Sequence, residues 1–246
     1  MTQVQPKKQE DRSILINFVL DKSGSMSVIQ DATISGFNEF LGDQQSEGGS
    51  ALITLTLFDT QFATVASAVP VAHLAPLNRQ TYQPGGMTAL YDAIAHTMQI
   101  TDDYVAAHKL DQVLFVIMTD GEENSSRQYT REQIFAMIGE HQTKNDYEFI
   151  YLGANQDAYA VSRAMGIREG RSLHYDHSPE AARETMTRLS HNVSAHRRSG
   201  LTLQEDAAFF SAEFEAAGAV PYDEHKARRE AGKGAKSKPA GKKDAN

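Results

Sequence analysis

Two segments of the chain are apolar almost throughout. Residues 14–20 (ILINFVL) are broken only by Asn17, and residues 113–118 (VLFVIM) are not broken at all. Short runs without polar alternation predict strands covered on both faces, as in a parallel sheet. Residues 147–152 (YEFIYL) predict another strand, and residues 171–175 an edge strand. Residues 51–58 (ALITLTLF) alternate apolar side chains with threonine, and residues 62–69 (FATVASAV) follow after only Asp59-Thr60-Gln61. So short a link predicts an antiparallel pair. Pro70, Pro76 and Pro84 break the next stretch into loop.

Helical spacing fills the gaps between the strands. Ile29, Thr33, Phe37, Phe40 and Leu41 predict a helix over 29–41, weakened by Gly36 and stopped by Gly42. Leu90, Ile94, Met98 and Val105 predict a helix over 89–108; Ile134, Met137 and Ile138 predict one over 131–143. A short helix over 156–165 ends near Gly166. Ser178-Pro179-Glu180 combines an N-cap serine, a first-turn proline and an acid, which opens a helix to about Arg198, ended by Gly200. Leu203, Phe210 and Phe214 share a face of one more helix over 202–217, and the Phe209-Phe210-Phe214 cluster would dock it onto the body. No internal repeat is visible.

Strands alternating with helices predict an α/β fold. The expected form is a three-layer, doubly wound, mostly parallel six-stranded sheet with one antiparallel edge strand. The expected organisation is a flexible arm at 1–12, a single domain over 13–200, a helical extension over 201–224 and a disordered basic tail over 225–246.

Charge sharpens that division. The 246-residue chain has 24 Lys+Arg against 32 Asp+Glu, a net charge of -8. Residues 225–246 hold eight Lys/Arg and two acids, a surplus of +6, which leaves -14 on residues 1–224. A mostly acidic body argues against coating nucleic acid over the whole surface. The tail lacks aromatic residues for base stacking, so it would meet nucleic acid only by charge. Apolar bulk is also missing there, and such a segment cannot offset its ordering entropy. Cysteine is absent, which excludes disulfides, thiolate catalysis and zinc-thiolate sites. The start MTQVQPKKQEDRS has no apolar core of signal-peptide length, and no window reaches the roughly 20 apolar residues of a membrane span. The expectation is a cytoplasmic protein with no membrane contact.

Three short segments carry candidate chemistry. Asp21-Lys22-Ser23-Gly24-Ser25 follows the first apolar strand, Gly85-Gly86-Met87-Thr88 precedes the helix at 89–108, and Thr119-Asp120-Gly121 follows the second apolar strand. Doubly wound sheets bind ligands beyond the carboxyl ends of their strands. Asp21, Ser23, Ser25, Thr88 and Asp120 are all oxygen donors, as a hard cation requires. Magnesium takes six oxygens at about 2.1 Å and keeps some water. The alternation Asp-x-Ser-x-Ser sends three donors to one side of a tight loop, and Gly24 lets that loop bend. Two carboxylates neutralise a divalent ion, three hydroxyls add ligands without charge, and one position stays open to an outside group. A helix starting near Ser27 would aim its positive end at the site, which favours an incoming carboxylate.

Asp21-Lys22-Ser23-Gly24-Ser25-Met26, Thr88 within Gly-Gly-Met-Thr-Ala-Leu, and Asp120 within Thr-Asp-Gly resemble the metal-ion-dependent adhesion site of the von Willebrand factor A family. The order of strands and helices over 13–195 is similar to that fold. The region from Gly153 to Asp157 and Ser172 to Asp176 is similar to stand-alone members from bacteria and their phages. The resemblance implies strand order 3-2-1-4-5-6 with the third strand antiparallel. It implies hydroxyl ligation by Ser23, Ser25 and Thr88, and ligation by Asp21 and Asp120 directly or through water. The implied ion is magnesium, with manganese or calcium as alternatives. The implied partner is a protein that presents an Asp or Glu to the metal, in a larger assembly or with an ATPase.

Other readings compete. A plain strand-to-helix turn also favours Asp, Ser and Gly, but Thr88 and Asp120 at the matching element ends set the cation reading above it. Glu122 and Glu123 could serve as a base in a magnesium-dependent hydrolase of phosphate esters, yet no GxxxxGK[ST] loop accompanies them. A nucleic-acid-associated adaptor using the basic tail is the third reading. His96 lies about 12 Å along a helix from Thr88 at 1.5 Å per residue, too far to ligate. His73, His174 and His177 lack a metal-ligand spacing and are read as structural or exposed. Asp59 ends a strand and is read as a hairpin-turn residue.

Overall fold

The computed structural model describes residues 13–154 and 157–199. The order is β1 (Ser13–Asp21), a 3-10 turn (Gly24–Ile29), α1 (Gln30–Ser46), β2 (Ser50–Phe58), β3 (Phe62–Pro70), a second 3-10 turn (Val71–His73) and α2 (Leu90–Ala107). It continues with β4 (Gln112–Thr119), α3 (Arg131–Lys144), β5 (Tyr147–Ala154), α4 (Ala158–Ala164), β6 (Ser172–Tyr175) and α5 (Pro179–Ser199). The six strands form one sheet in the order β3-β2-β1-β4-β5-β6. β3 runs antiparallel to β2, and the other pairings are parallel. The expected arm at 1–12, extension at 201–224 and tail at 225–246 lie outside the described residues, as does the start of the helix expected over 156–165.

Between their polar ends, and Asn17 apart, β1 and β4 are apolar because helices cover both faces of the sheet. Side chains alternate along a strand. Val19 of β1 and Val113, Phe115 and Ile117 of β4 pack with α2, α3 and α4. Phe18 faces the other way, edge-on to Phe37 and Phe40 of α1 at 5.2 and 5.5 Å between ring centres. Asn17 interrupts β1 for a reason seen only in three dimensions. Its amide oxygen accepts the hydroxyl of Thr101 on α2 at 2.9 Å. Thr97, one turn earlier, donates to Thr56 of β2, which contacts Thr64 of β3. The threonines of β2 thus face a polar seam under α2.

Two expectations about α1 change. Gly42 does not stop the helix, which runs on to Ser46. Gly36 is not merely a weak point. A Cβ at Gly36 would lie 2.8 Å from the Met186 Cβ of α5. Gly36 is the close-contact position between two helices. Helix propensity alone would favour Gly36→Ala by about 1 kcal/mol, whereas overpacking costs about 1–3 kcal/mol. We expect a net loss of about 1 kcal/mol in urea denaturation. Unchanged or raised stability would mean that α5 moves aside freely.

The parallel strands all point their carboxyl ends to one side. Leu20 pairs with Met118 and Asp21 pairs with Phe58. The segments after β1, β2 and β4 therefore emerge side by side, and the candidate residues meet there.

Candidate metal centre

Backbone hydrogen bonds join the first two segments. Gly85 N–H donates to the Lys22 carbonyl at 2.8 Å, and Gly24 N–H donates to the Gly86 carbonyl at 3.2 Å. Gly86 has φ +72, and a Cβ there would lie 2.6 Å from the Thr60 hydroxyl, so only glycine fits. Gly24, expected to supply a bend, has no left-handed φ, and a Cβ there would stand in ordinary contact, 3.4 Å from Gly86 O. The 3-10 turn Gly24–Ile29 precedes α1, so the helix proper starts at Gln30 rather than near Ser27. Lys22 and Asp59 form an ion pair beside this loop, and Asp59 also accepts Gln61 N–H at 2.8 Å, the expected turn contact.

The third segment closes on the second. Asn124 accepts Thr88 N–H at 2.9 Å, and the Thr88 carbonyl accepts N–H from Asn124 and Ser125. Glu123 accepts from Tyr91 N–H, Ser125 N–H and the N–H and hydroxyl of Ser126. Its oxygens are committed to holding this loop, which removes it as a candidate base. Asp92 does the same for Arg127, Gln128 and Tyr129 N–H. None of these supporting roles was foreseen; Asp92 and Asn124 carry no sequence signal beyond lying next to the segments.

The five candidate donors come to one place. Ser23 and Ser25 hydroxyl oxygens are 3.2 Å apart, and Ser25 donates to Asp120 Oδ1 at 2.6 Å. Gly121 marks the centre of the group. From the position a Cβ would take, Thr88 Oγ1 is 3.2 Å away, Ser25 Oγ 3.7 Å and Ser23 Oγ 3.9 Å. Asp21 stands behind the hydroxyls. Its Oδ1 accepts Ser23 N–H at 2.6 Å, and its Oδ2 accepts the Thr119 hydroxyl at 2.5 Å. Tyr82 donates to the Asp21 carbonyl at 2.5 Å, which fixes the strand end from below.

Burial sets the electrostatics. It raises Asp21 from 3.8 to about 6, against the lowering effect of the Thr119 and Ser23 hydrogen bonds, while neighbouring Asp120 adds to the rise. Asp120 is also raised, first by burial, with the Ser25 hydrogen bond and His177 opposing. Two buried carboxylates that resist ionisation are what a bound cation would relieve.

His177, read as structural or exposed, places Nε2 2.6 Å from Asp120 Oδ2. Both atoms are buried, and neither has a partner with hydrogen-bond alignment, so the two meet closely without an N–H directed at the oxygen. His96 keeps its expected role away from the site, packed on Phe62 at 4.6 Å between ring centres.

The arrangement suits a hard divalent cation. The donors are hydroxyl and carboxylate oxygens, Asp120 Oδ2 lacks an aligned hydrogen bond, and the missing side chain of Gly121 leaves room among the hydroxyls. Among the described residues, no three His, Asp or Glu side chains gather closely enough to hold a metal alone. Any cation here would depend on Ser23, Ser25 and Thr88.

No family model matches the sequence, and no curated protein matches it. Solved structures do. The chain is similar to the von Willebrand factor domain of the type V pili tip protein Mfa5 from Porphyromonas gingivalis (9% identity, 79% of this chain and 99% of that one, TM-score 0.57). It is similar to the pilus adhesin SpaC from Lactobacillus rhamnosus GG (13% identity, 77% and 31%, TM-score 0.58). It is also similar to the ArnB paralog VWA2 from Sulfolobus acidocaldarius (16% identity, 72% and 45%, TM-score 0.50). At such identities the likeness establishes the fold, that of von Willebrand factor A domains. The chain spans less than half the length of the SpaC and VWA2 chains.

Proposed function

We propose that this protein is a non-enzymatic binding module in which one divalent cation, held by Ser23, Ser25, Thr88, Asp120 and Asp21, receives an acidic side chain from a partner protein. The observation that carries the reading is the meeting of three hydroxyls and a buried carboxylate around the space left by Gly121. The cation is magnesium, with manganese or calcium as the alternatives of similar ligand preference. Ser23, Ser25, Thr88 and Asp120 face it directly. Asp21, with both oxygens already accepting hydrogen bonds, acts from behind through water. When bound, the cation supplies a positive centre with a coordination position open to a carboxylate. The protein's own contribution is rigidity, since Asn124, Glu123 and Asp92 hold the loops before any ligand arrives.

Two further observations support a protein partner. Val28 and Met87, 63% and 50% exposed, are large apolar side chains a few residues from Ser25 and Thr88. Apolar side chains exposed beside the site would lose water on contact with a partner protein, which favours association. Among solved structures of this fold, SpaC is a pilus adhesin and Mfa5 a pilus tip protein. We place the present protein in the cytoplasm, in a larger assembly or beside an ATPase. No helix among the described residues is long and apolar enough to cross a membrane.

The test is capture of host proteins on the immobilised full chain. Capture is expected with magnesium, and is expected to be lost in EDTA and in the Ser23→Ala/Ser25→Ala variant. A partner retained equally under all three conditions would sink the metal-bridged reading.

A further inference from the structure

His177 lies in the short link between β6 and α5, on the same side of the sheet as the carboxyl ends of β1 and β4. The link is fixed at both ends. Tyr175 directs its hydroxyl at the Thr119 carbonyl at 3.5 Å. Ser178 caps α5, its hydroxyl accepting Ala181 N–H at 3.2 Å and its carbonyl accepting Ala182 N–H at 3.0 Å. His177 therefore stands one residue before a pinned helix start.

Its contact with Asp120 is unusual. Nε2 and Oδ2 are 2.6 Å apart, the Asp120 side chain is 0% exposed, and neither atom completes a hydrogen bond. With no aligned proton joining them, a carboxylate oxygen and an unprotonated imidazole nitrogen this close present two lone pairs that one positive ion would share. Two donors about 2.1 Å from one octahedral ion stand about 3 Å apart, within a few tenths of an ångström of this separation. Ser25 occupies the other oxygen, Oδ1, so Oδ2 is the one available to share.

We propose that His177 is a ligand of the same cation, contributing Nε2 beside Asp120 Oδ2, so that the site is a mixed imidazole–oxygen centre rather than an all-oxygen one. This rests on the cation reading given above. An imidazole ligand favours borderline transition ions such as cobalt, nickel or zinc over magnesium.

The test is pulsed electron paramagnetic resonance on the full chain loaded with Mn2+, with calorimetric affinities for Co2+ and Mg2+ alongside. The wild type is expected to show modulation from a coordinated imidazole nitrogen. His177→Ala is expected to lack it and to lose at least tenfold in the ratio of Co2+ to Mg2+ affinity. His177→Gln, which keeps a polar group against Asp120, is expected to fold as the wild type does by circular dichroism and also to lack the modulation. One Mn2+ per chain without nitrogen modulation, or modulation that persists in both variants, would overturn the ligand role and leave the oxygen site standing. A wild type that binds no divalent ion at all would overturn both readings.

Discussion

In EDTA at neutral pH, Asp21→Asn is expected to be more stable than the wild type, while losing the stabilisation that a divalent ion brings. Burial raises Asp21 from 3.8 to about 6. At about 1.4 kcal/mol per unit, keeping it charged in the folded protein costs about 3 kcal/mol. Asparagine is nearly isosteric and carries no charge. Its carbonyl can accept Ser23 N–H as Oδ1 does now. Its NH2 would face the Thr119 hydroxyl, which can turn its proton to the Gly121 carbonyl 3.1 Å away and accept instead. The sign follows from the direction of the shift. The folded state holds the Asp21 proton more tightly, so the penalty is full above about pH 6 and fades as pH falls toward 3.8. The stability difference between variant and wild type, measured by urea denaturation in EDTA, should therefore be largest at neutral pH and close to zero near pH 4. With magnesium the gap narrows, because the wild type gains more from binding, and the order reverses once the free ion exceeds roughly 150 times the wild type's Kd. A variant less stable than the wild type in EDTA at neutral pH would show that Asp21 is not strained by its burial.

Gly121→Ala is expected to cost at least a hundredfold in cation affinity, about 3 kcal/mol, with little change in the stability of the metal-free protein. Gly121 does not use left-handed backbone, so alanine meets no conformational barrier. The added methyl would stand 3.2 Å from Thr88 Oγ1 and under 4 Å from both serine hydroxyls. It would fill the space in which three donors meet and replace a potential ligand shell with a hydrocarbon. Calorimetric titration of Mn2+ into both proteins, with thermal melts in EDTA as the control, measures the two effects separately. Equal affinity in the variant would place the cation elsewhere.

Much of this was legible in the sequence. The unbroken apolar runs 14–20 and 113–118 reported strands buried on both faces, and they became β1 and β4 at the centre of the sheet. The short link at Asp59-Thr60-Gln61 reported the antiparallel edge pair. The five candidate donors were readable because each sits at an element end that the hydrophobic pattern itself located. What could not be read was everything dependent on separation in sequence. Gly36 looked like a helix weakness because its neighbour, Met186, lies on the last helix. Gly42 looked like a stop because nothing in the local pattern shows that the helix continues past it. His177 had no metal-ligand spacing because its partner, Asp120, is brought to it by the sheet. Glu123 looked like a free acid because its partners are mostly backbone N–H groups, which a residue pattern does not display.

The most direct test of the central claim is calorimetric titration of Mg2+ into the full chain and into the Ser23→Ala/Ser25→Ala variant. One ion per chain is expected in the wild type, and at least a hundredfold weaker binding in the variant, about 3 kcal/mol. Two lost hydroxyls leave Thr88 and the two carboxylates unable to complete the shell. Binding of equal strength in both proteins, or no binding by the wild type at millimolar Mg2+, would contradict it.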